Sequence, residues 1–296
     1  MELLRAIESI RSPFLDTVFG LITRFGEEMI LIVVFCTLFW CVNKRMGYVL
    51  GVSFFLSSLA VQGLKIVFRV PRPWVADPTF QPVQGAVREA TGYAFPSGHT
   101  QNAAALLGGL GAQLRQRPIK IVLFTIAILV GVSRLYLGVH YLFDVVASLV
   151  ITFAIVFFAV KVVTDEPVSK KREFLLSLFI ASIALVVIAI AAYLYHNGIS
   201  TPSQLRDSTR AAGAAIGFAI GMYIERIYIR FPVEARNISL QVLKVALGIA
   251  GLIAVQEGVR LVGGGLIMDA VRYFLMVLWI AVGFPLIIKR FWGQKA

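Results

Sequence analysis

Charge is scarce in this 296-residue sequence: Asp, Glu, Lys and Arg make up 15% of the residues, against 58% that are hydrophobic. A soluble domain of this length does not need so much apolar surface and could not bury it. Several apolar runs are about 20 residues long, which is the length at which a helix crosses a hydrocarbon core about 30 Å thick. The composition therefore excludes an ordinary soluble protein and predicts an all-α, polytopic bundle of transmembrane helices.

Cysteine is nearly absent as well. The two cysteines, Cys36 and Cys41, lie within the first strongly apolar run. There they cannot form a disulfide framework, and they have no metal-ligand spacing with a histidine. We expect buried, inert thiols.

Acidic residues are fewer than basic ones, 16 against 28, which gives a formal net charge of +12. The basic residues occur in short segments between apolar runs, as in loops retained on the cytoplasmic side of a membrane. No basic helix interleaved with aromatic residues occurs in the sequence. These positions argue against nucleic-acid binding.

The apolar runs predict about nine spans, with a different segment before them. The spans lie at about 28–43, 48–68, 98–114, 119–136, 140–162, 173–195, 210–228, 239–258 and 266–288. Residues 1–26 mix charged and apolar positions, which predicts one or two short amphipathic helices at the membrane interface. A weak first span is the alternative. Charged residues near the N-terminus argue against a cleavable signal peptide.

The distribution of basic residues between alternate loops predicts an orientation. The more basic set comprises Lys44, Arg45, Arg115, Arg117, Lys120, Lys161, Lys170, Lys171, Arg172, Arg226, Arg230, Arg236, Lys289, Arg290 and Lys295. If these loops are cytoplasmic, the N-terminus lies outside, the C-terminus lies inside, and the long polar segment 69–97 lies outside.

Three short motifs at the ends of predicted spans carry the candidate chemistry. The first runs from Lys65 to Pro73 (KIVFRVPRP), the second is Phe95–His99 (FPSGH), and the third runs from Ser133 to Asp144 (SRLYLGVHYLFD). In the predicted topology, spans two and four end at the membrane face where spans three and five begin. All three motifs therefore meet at one face, and such a polar cluster indicates a functional site.

The basic and small residues of these motifs suit a phosphate group. Lys65, Arg72 and Arg134 would surround it with positive charge, and the two arginines offer forked donors that match phosphate oxygens. At the predicted helix start, Gly98 allows backbone N–H groups to approach an anion. Ser97 adds a hydroxyl donor.

The histidines supply the reactive groups. His140 and Asp144 are four residues apart at a predicted helix start, so they share a face. Asp144 can accept the imidazole N–H, which leaves the other ring nitrogen free to attack phosphorus. We therefore predict a phosphohistidine intermediate on His140, with His99 first protonating the leaving oxygen and then activating water.

These residues closely resemble the type 2 phosphatidic acid phosphatase family, which includes glucose-6-phosphatase and shares its pocket with vanadium haloperoxidases. The family pattern of K-x6-RP, PSGH and SR-x5-H-x3-D is matched without departure. The resemblance covers about residues 28–162 and implies the roles given above, together with independence from metal ions. The predicted spans divide the chain into an interfacial segment (1–26), a phosphatase core (27–195) and a three-span extension (196–296), and we expect no cofactor.

The apolar surroundings predict that the substrate is a lipid phosphate, entering from the outer leaflet of a bacterial cytoplasmic membrane. Phosphatidic acid, phosphatidylglycerophosphate, undecaprenyl diphosphate and sphingoid phosphates are candidates. The same motifs would serve a phosphotransferase, in which a lipid hydroxyl attacks the phosphohistidine. A non-catalytic lipid transporter or scaffold is the non-enzymatic alternative.

The extension carries one pattern of its own. Gly213, Gly217 and Gly221 form a stripe on one face of the seventh predicted span. Such a stripe allows close packing of helices. We interpret it as a packing face, with a homodimer surface or the wall of a lipid-access groove as alternatives.

Overall fold

The computed structural model describes residues 1–88, 90–165, 167–235 and 237–292, and within these residues it is all-helical, without a strand. The all-α prediction is confirmed. The helices are α1 (Glu2–Ser9), α2 (Pro13–Thr23), α3 (Glu28–Cys41), α4 (Lys44–Phe68), α5 (Pro73–Ala76), α6 (Gly98–Ala103), α7 (Gly109–Gln113), α8 (Arg117–Tyr136), α9 (Leu142–Val162), α10 (Lys170–His196), α11 (Pro202–Ile224), α12 (Ile238–Val262), α13 (Leu266–Leu278) and α14 (Phe284–Trp292). Single π-helical turns join α6 to α7 and α13 to α14, and a third extends α11.

Seven helical segments in the described part of the chain are long and apolar enough to cross a membrane. The other two predicted spans, at about 28–43 and 98–114, are helical over 28–41 and 98–113 but are not among these seven. At about 1.5 Å per residue, the 14 residues of α3 extend only about 21 Å. Nine crossings therefore stays a prediction. Arg236 and Lys295, used for the orientation, lie outside the described residues, as do residues 293–296 of the extension.

Helix α4 lies at the centre of the bundle, where it packs against α3, α9, α10 and α11. It begins where Asn43 Oδ1 accepts a hydrogen bond from Met46 N at 3.0 Å, a side-chain cap of the first turn. It ends where Arg69 adopts a left-handed φ of 50°. Pro71 follows, and it has no amide hydrogen to continue the helix. The first motif thus starts on the central helix and leaves it at residue 69.

The glycine stripe of α11 packs against α13 within the same chain. A Cβ at Gly213 would lie 2.5 Å from the carbonyl oxygen of Ala270, and one at Gly217 would lie 2.6 Å from that of Phe274. The two helices approach closely because the glycines have no side chain. The packing interpretation is confirmed. The glycine face proposed as a homodimer surface is covered by α13 of the same chain.

Charged residues hold the extension to the core at the end of the bundle opposite the motifs. Glu225 is buried and accepts hydrogen bonds from Lys44 Nζ at 3.3 Å and from the Tyr48 hydroxyl of α4. Arg226 pairs with Glu173 of α10 at 3.5 Å. Removing one partner from a buried ion pair is strongly destabilising. These contacts therefore fix α11 against the core helices.

The N-terminal helices α1 and α2 pack against α8. Leu4 is buried in an apolar cluster with Phe80 and Leu135. On the polar side of α1, Arg5 pairs with Asp77 at 2.7 Å. The amphipathic segment thus lies against the loop that follows the first motif.

Candidate active site

The side chain of Arg72 joins the segments that carry the three motifs. It is 5% exposed, and it donates hydrogen bonds through Nε to Gly92 O at 3.0 Å and through Nη2 to Thr91 O at 2.7 Å. Its Nη1 donates to Val139 O at 2.8 Å and lies 2.8 Å from His140 Nε2. One guanidinium therefore positions both the loop before the second motif and the loop that carries His140.

The second motif begins α6. Ser97 Oγ accepts hydrogen bonds from Thr100 N at 3.4 Å and from Thr100 Oγ1 at 2.9 Å, so it caps the helix. Ser97 N donates to Asp144 O at 3.2 Å, and Ser148 Oγ donates to Ser97 O at 2.9 Å. These bonds tie the second motif to α9. Beside them, Gly98 faces open space where a Cβ would be, as close approach of an anion requires.

The third motif turns sharply between α8 and α9. Gly138 has a φ of +76°, a left-handed conformation that favours glycine. Val139 N donates to Arg134 O at 3.2 Å. At the start of α9, Asp144 Oδ2 accepts a hydrogen bond from Tyr141 N at 2.8 Å and lies 3.3 Å from His140 Nδ1. The predicted pairing of His140 with Asp144 is therefore present in the structure.

Most of the predicted site residues line one cavity of about 570 Å³. These residues are Lys65, Arg72, Gly98, His99, Arg134 and His140. Ser97 and Asp144 lie behind the cavity wall, the first as a helix cap and the second behind the imidazole ring. The direct phosphate contact predicted for the Ser97 hydroxyl stays a prediction.

The electrostatic environment favours a neutral His140. Its imidazole is 2% exposed. Burial, and then the positive charges of Arg72, Arg134 and Lys65, hold the pKa of His140 well below its ordinary value. A neutral imidazole keeps one ring nitrogen unprotonated and nucleophilic.

Within the described residues, no group of three or more His, Cys, Asp or Glu is placed to hold a metal ion.

Some residues of the site lie outside the motifs. Thr23 Oγ1 accepts a hydrogen bond from Arg134 Nη1 at 2.7 Å. Glu28 of α3 and Asp207 and Arg210 of α11 line the same cavity as the histidines. The three-residue spacing of Asp207 and Arg210 on an apolar helix was the only local signal for this part of the site.

Comparison with known proteins decides the family. Residues 47–167, which contain all three motifs, match the PAP2 superfamily. The chain is 30% identical to phosphatidylglycerophosphatase B of Bacillus subtilis over 181 residues, which covers 57% of this chain and 84% of that protein. The chain belongs to the PAP2 superfamily. The family inferred from the motifs is confirmed, and this PAP2 protein is a membrane phosphatase.

A second segment of the chain also matches the superfamily. Residues 209–295 match the transmembrane extension of PAP2 superfamily phosphatases. The PAP2 protein is 28% identical to an undecaprenyl-diphosphatase of Sulfolobus acidocaldarius, over 59% of this chain and 84% of that protein. It is 29% identical to undecaprenyl-diphosphatase BcrC of Bacillus subtilis, over 53% of this chain and 80% of that protein.

Proposed function

We propose that this lipid phosphatase hydrolyses a lipid phosphate or diphosphate through a phosphohistidine on His140, without a metal ion. The observation that carries the proposal is the placement of the imidazole between two partners. Nδ1 lies 3.3 Å from Asp144 Oδ2, and Nε2 lies 2.8 Å from Arg72 Nη1. Nε2 is therefore the nitrogen on the cation-lined side, where a phosphate would bind.

In the first step, the phosphate binds among the cations and Arg72 donates to its oxygens. The lone pair of His140 Nε2 attacks phosphorus while Nδ1–H donates to Asp144, which stabilises the imidazolium that forms. The bond between phosphorus and the leaving oxygen breaks; this is the lipid's own oxygen in a monophosphate and the bridging oxygen in a diphosphate. A proton from His99 neutralises the leaving oxygen.

In the second step, His99 accepts a proton from a water molecule, whose oxygen attacks phosphorus. The P–N bond breaks, inorganic phosphate forms, and Nε2 of His140 regains its lone pair. Lys65, Arg72 and Arg134 stabilise the extra negative charge of both transition states. Because these side chains supply positive charge in a preorganised cavity, the chemistry needs no added cation.

The distribution of basic loops supports a site at the extracytoplasmic face of a bacterial cytoplasmic membrane, with the N-terminus outside and the C-terminus inside. A substrate from the outer leaflet would then reach the cavity with its phosphate first. The names of the relatives support two substrate classes, a phosphatidylglycerophosphate and an isoprenyl diphosphate.

The test is phosphate release by the purified protein from a panel of lipid phosphates and diphosphates in detergent with EDTA. His140→Ala should abolish release. His196→Ala is the matched control, because His196 is an exposed histidine at the end of α10, and it should retain full activity. Release that survives the loss of His140, or that requires a divalent cation, would contradict the mechanism.

The intermediate has a direct test as well. Brief exposure of the enzyme to a substrate with radiolabelled phosphate, followed by alkaline denaturation, should leave label on His140. Label on another residue, or no label at any quench time, would refute the covalent step.

A further inference from the structure

The cavity at His140 continues along α4 well beyond the catalytic residues. Its lining residues on α4 recur every three or four positions from Lys65 back to Leu50, which is one face of a helix. At about 1.5 Å per residue, this face is about 22 Å long. The cavity therefore extends from the motif end of the bundle toward the opposite end, much farther than a phosphate group needs.

The C-terminal extension forms the facing wall. From α11 the cavity is lined by Asp207, Arg210, Ala211 and Ala214, and from α13 by Tyr273, Met276 and Val277. Each set has the three- and four-residue spacing of a single helix face. The cavity face of α11 adjoins its glycine face, which packs on α13. Helix α11 thus binds the bundle with one face and lines the cavity with another.

Polarity changes in the same direction along each wall. On α4, Lys65 lies at the motif end, while Phe54 and Leu50 lie deeper. Helix α11 runs antiparallel to α4, because its C-terminal end lies against Lys44 at the start of α4. Asp207 and Arg210 therefore lie near the motif end of the cavity, and Ala211 and Ala214 lie deeper. The cavity therefore has a charged end at His140 and an apolar end within the bundle.

We infer that the C-terminal extension builds one wall of the substrate site, and that a hydrocarbon chain of the lipid lies between α4 and the α11–α13 pair. This inference rests on the proposed function, since it places the phosphate of the same substrate at His140. The occupant is the substrate's own chain because the apolar end is continuous with the catalytic cations. A volume of about 570 Å³ lies within the usual range of about 300–1,000 Å³ for small-molecule sites.

Narrowing the apolar end tests this inference. Ala214→Phe adds a ring to the extension wall without altering a catalytic side chain. We expect kcat/KM for dioleoyl phosphatidic acid to fall at least tenfold relative to that for dihexanoyl phosphatidic acid. Ile220→Phe is the matched control on α11, because Ile220 is 40% exposed on the outside of the bundle. It should leave the ratio of the two substrates unchanged.

The outcomes separate the inference from the proposed function. If hydrolysis requires His140 but Ala214→Phe affects long and short chains equally, the inference is wrong and the phosphatase mechanism stands. If neither substrate is hydrolysed in a His140-dependent way, the proposed function fails first.

Photo-crosslinking provides a second measurement that does not depend on the fold of Ala214→Phe. His140→Ala protein would be irradiated with phosphatidic acid that carries a diazirine at the end of one acyl chain. We expect adducts on α11 and α13 near Ala214 and Met276. A phosphatidylcholine with the same diazirine should not label these positions. Equal labelling by both lipids would show that a bystander membrane lipid fills the cavity, and adducts confined to other helices would also overturn the inference.

Discussion

Arg72 and His140 contact each other through the nitrogen that performs the proposed reaction: Nη1 of Arg72 lies 2.8 Å from Nε2 of His140. The guanidinium thus donates to the nucleophile's lone pair when no phosphate is bound. For attack, Arg72 must transfer this hydrogen bond to a phosphate oxygen. One side chain therefore orients the imidazole before binding and stabilises charge on the phosphate afterwards.

Replacing Arg72 by Lys keeps the charge but removes the guanidinium group, which donates hydrogen bonds to Thr91, Gly92 and Val139 at once. Hydrogen bonds to charged groups contribute about 1.5–3 kcal/mol each, so we expect kcat/KM to fall roughly 10- to 100-fold. Steady-state kinetics with the best lipid substrate measures this. Arg69→Lys, three residues earlier, is the control and should match the wild type. Wild-type kinetics for Arg72→Lys would show that charge alone suffices.

Asp144→Asn should lower kcat while preserving the fold. The Asn side chain can still accept the hydrogen bond from Tyr141 N that starts α9, but it no longer stabilises an imidazolium at His140. We expect a loss of about 10²- to 10⁴-fold in kcat with little change in KM. Asp165→Asn is the control, since the Asp165 side chain is 81% exposed. A change confined to KM would assign Asp144 to binding rather than to orientation of the imidazole.

His99→Asn should affect the two chemical steps differently. With an aryl phosphate, whose leaving group needs no proton, phosphorylation of His140 should proceed, while hydrolysis should slow by about 10²- to 10⁴-fold. The phosphoenzyme would therefore accumulate, and a burst of phenol equal to the enzyme concentration would report it. His196→Asn serves as the control. Equal slowing of the burst and of the steady-state rate would contradict a role for His99 in activating water.

Gly138→Ala should displace His140. A Cβ at Gly138 would lie 2.9 Å from the ring of Phe80, at a φ of +76°, and the left-handed conformation alone costs about 1–2 kcal/mol for a residue with a Cβ. Because small misplacements of reacting groups are costly, we expect kcat to fall roughly 10- to 100-fold. Gly198→Ala is the matched control, with a φ of +68° and open space around it. If both variants lose activity equally, the effect is one of general stability.

The acid limb of the pH profile of kcat/KM should lie below the pH at which an ordinary histidine titrates. Burial and the charge of Arg72 lower the pKa of His140, so the unprotonated nucleophile is present above this lowered value and is lost only as pH falls through it. We expect kcat/KM, corrected for the measured ionisation of the substrate, to persist below about pH 6.5, where a free histidine titrates. An acid limb centred at or above pH 6.5 would contradict the lowered pKa.

The spacing of residues within short segments of the sequence predicted much of the site. The spacing within the third motif predicted the pairing of His140 with Asp144, and the pairing is present although His140 lies in the turn before α9, which begins at Leu142. The ends of the apolar runs predicted that the three motifs would meet, because a membrane restricts helix ends to two faces. Ser97 has a structural role that the motif did not predict: its oxygen also accepts the hydrogen bonds that cap α6.

By itself, the sequence determined the membrane environment, the helical class and the reactive groups, because each follows from composition or from short-range spacing. Only the tertiary structure decided that Arg72 contacts His140, that the glycine face of α11 is covered by α13, and that Asp207 and Arg210 share a cavity with His99. These relations join residues far apart in the chain. They depend on which helix faces pack together, and periodicity along a single helix identifies a face without identifying its neighbour.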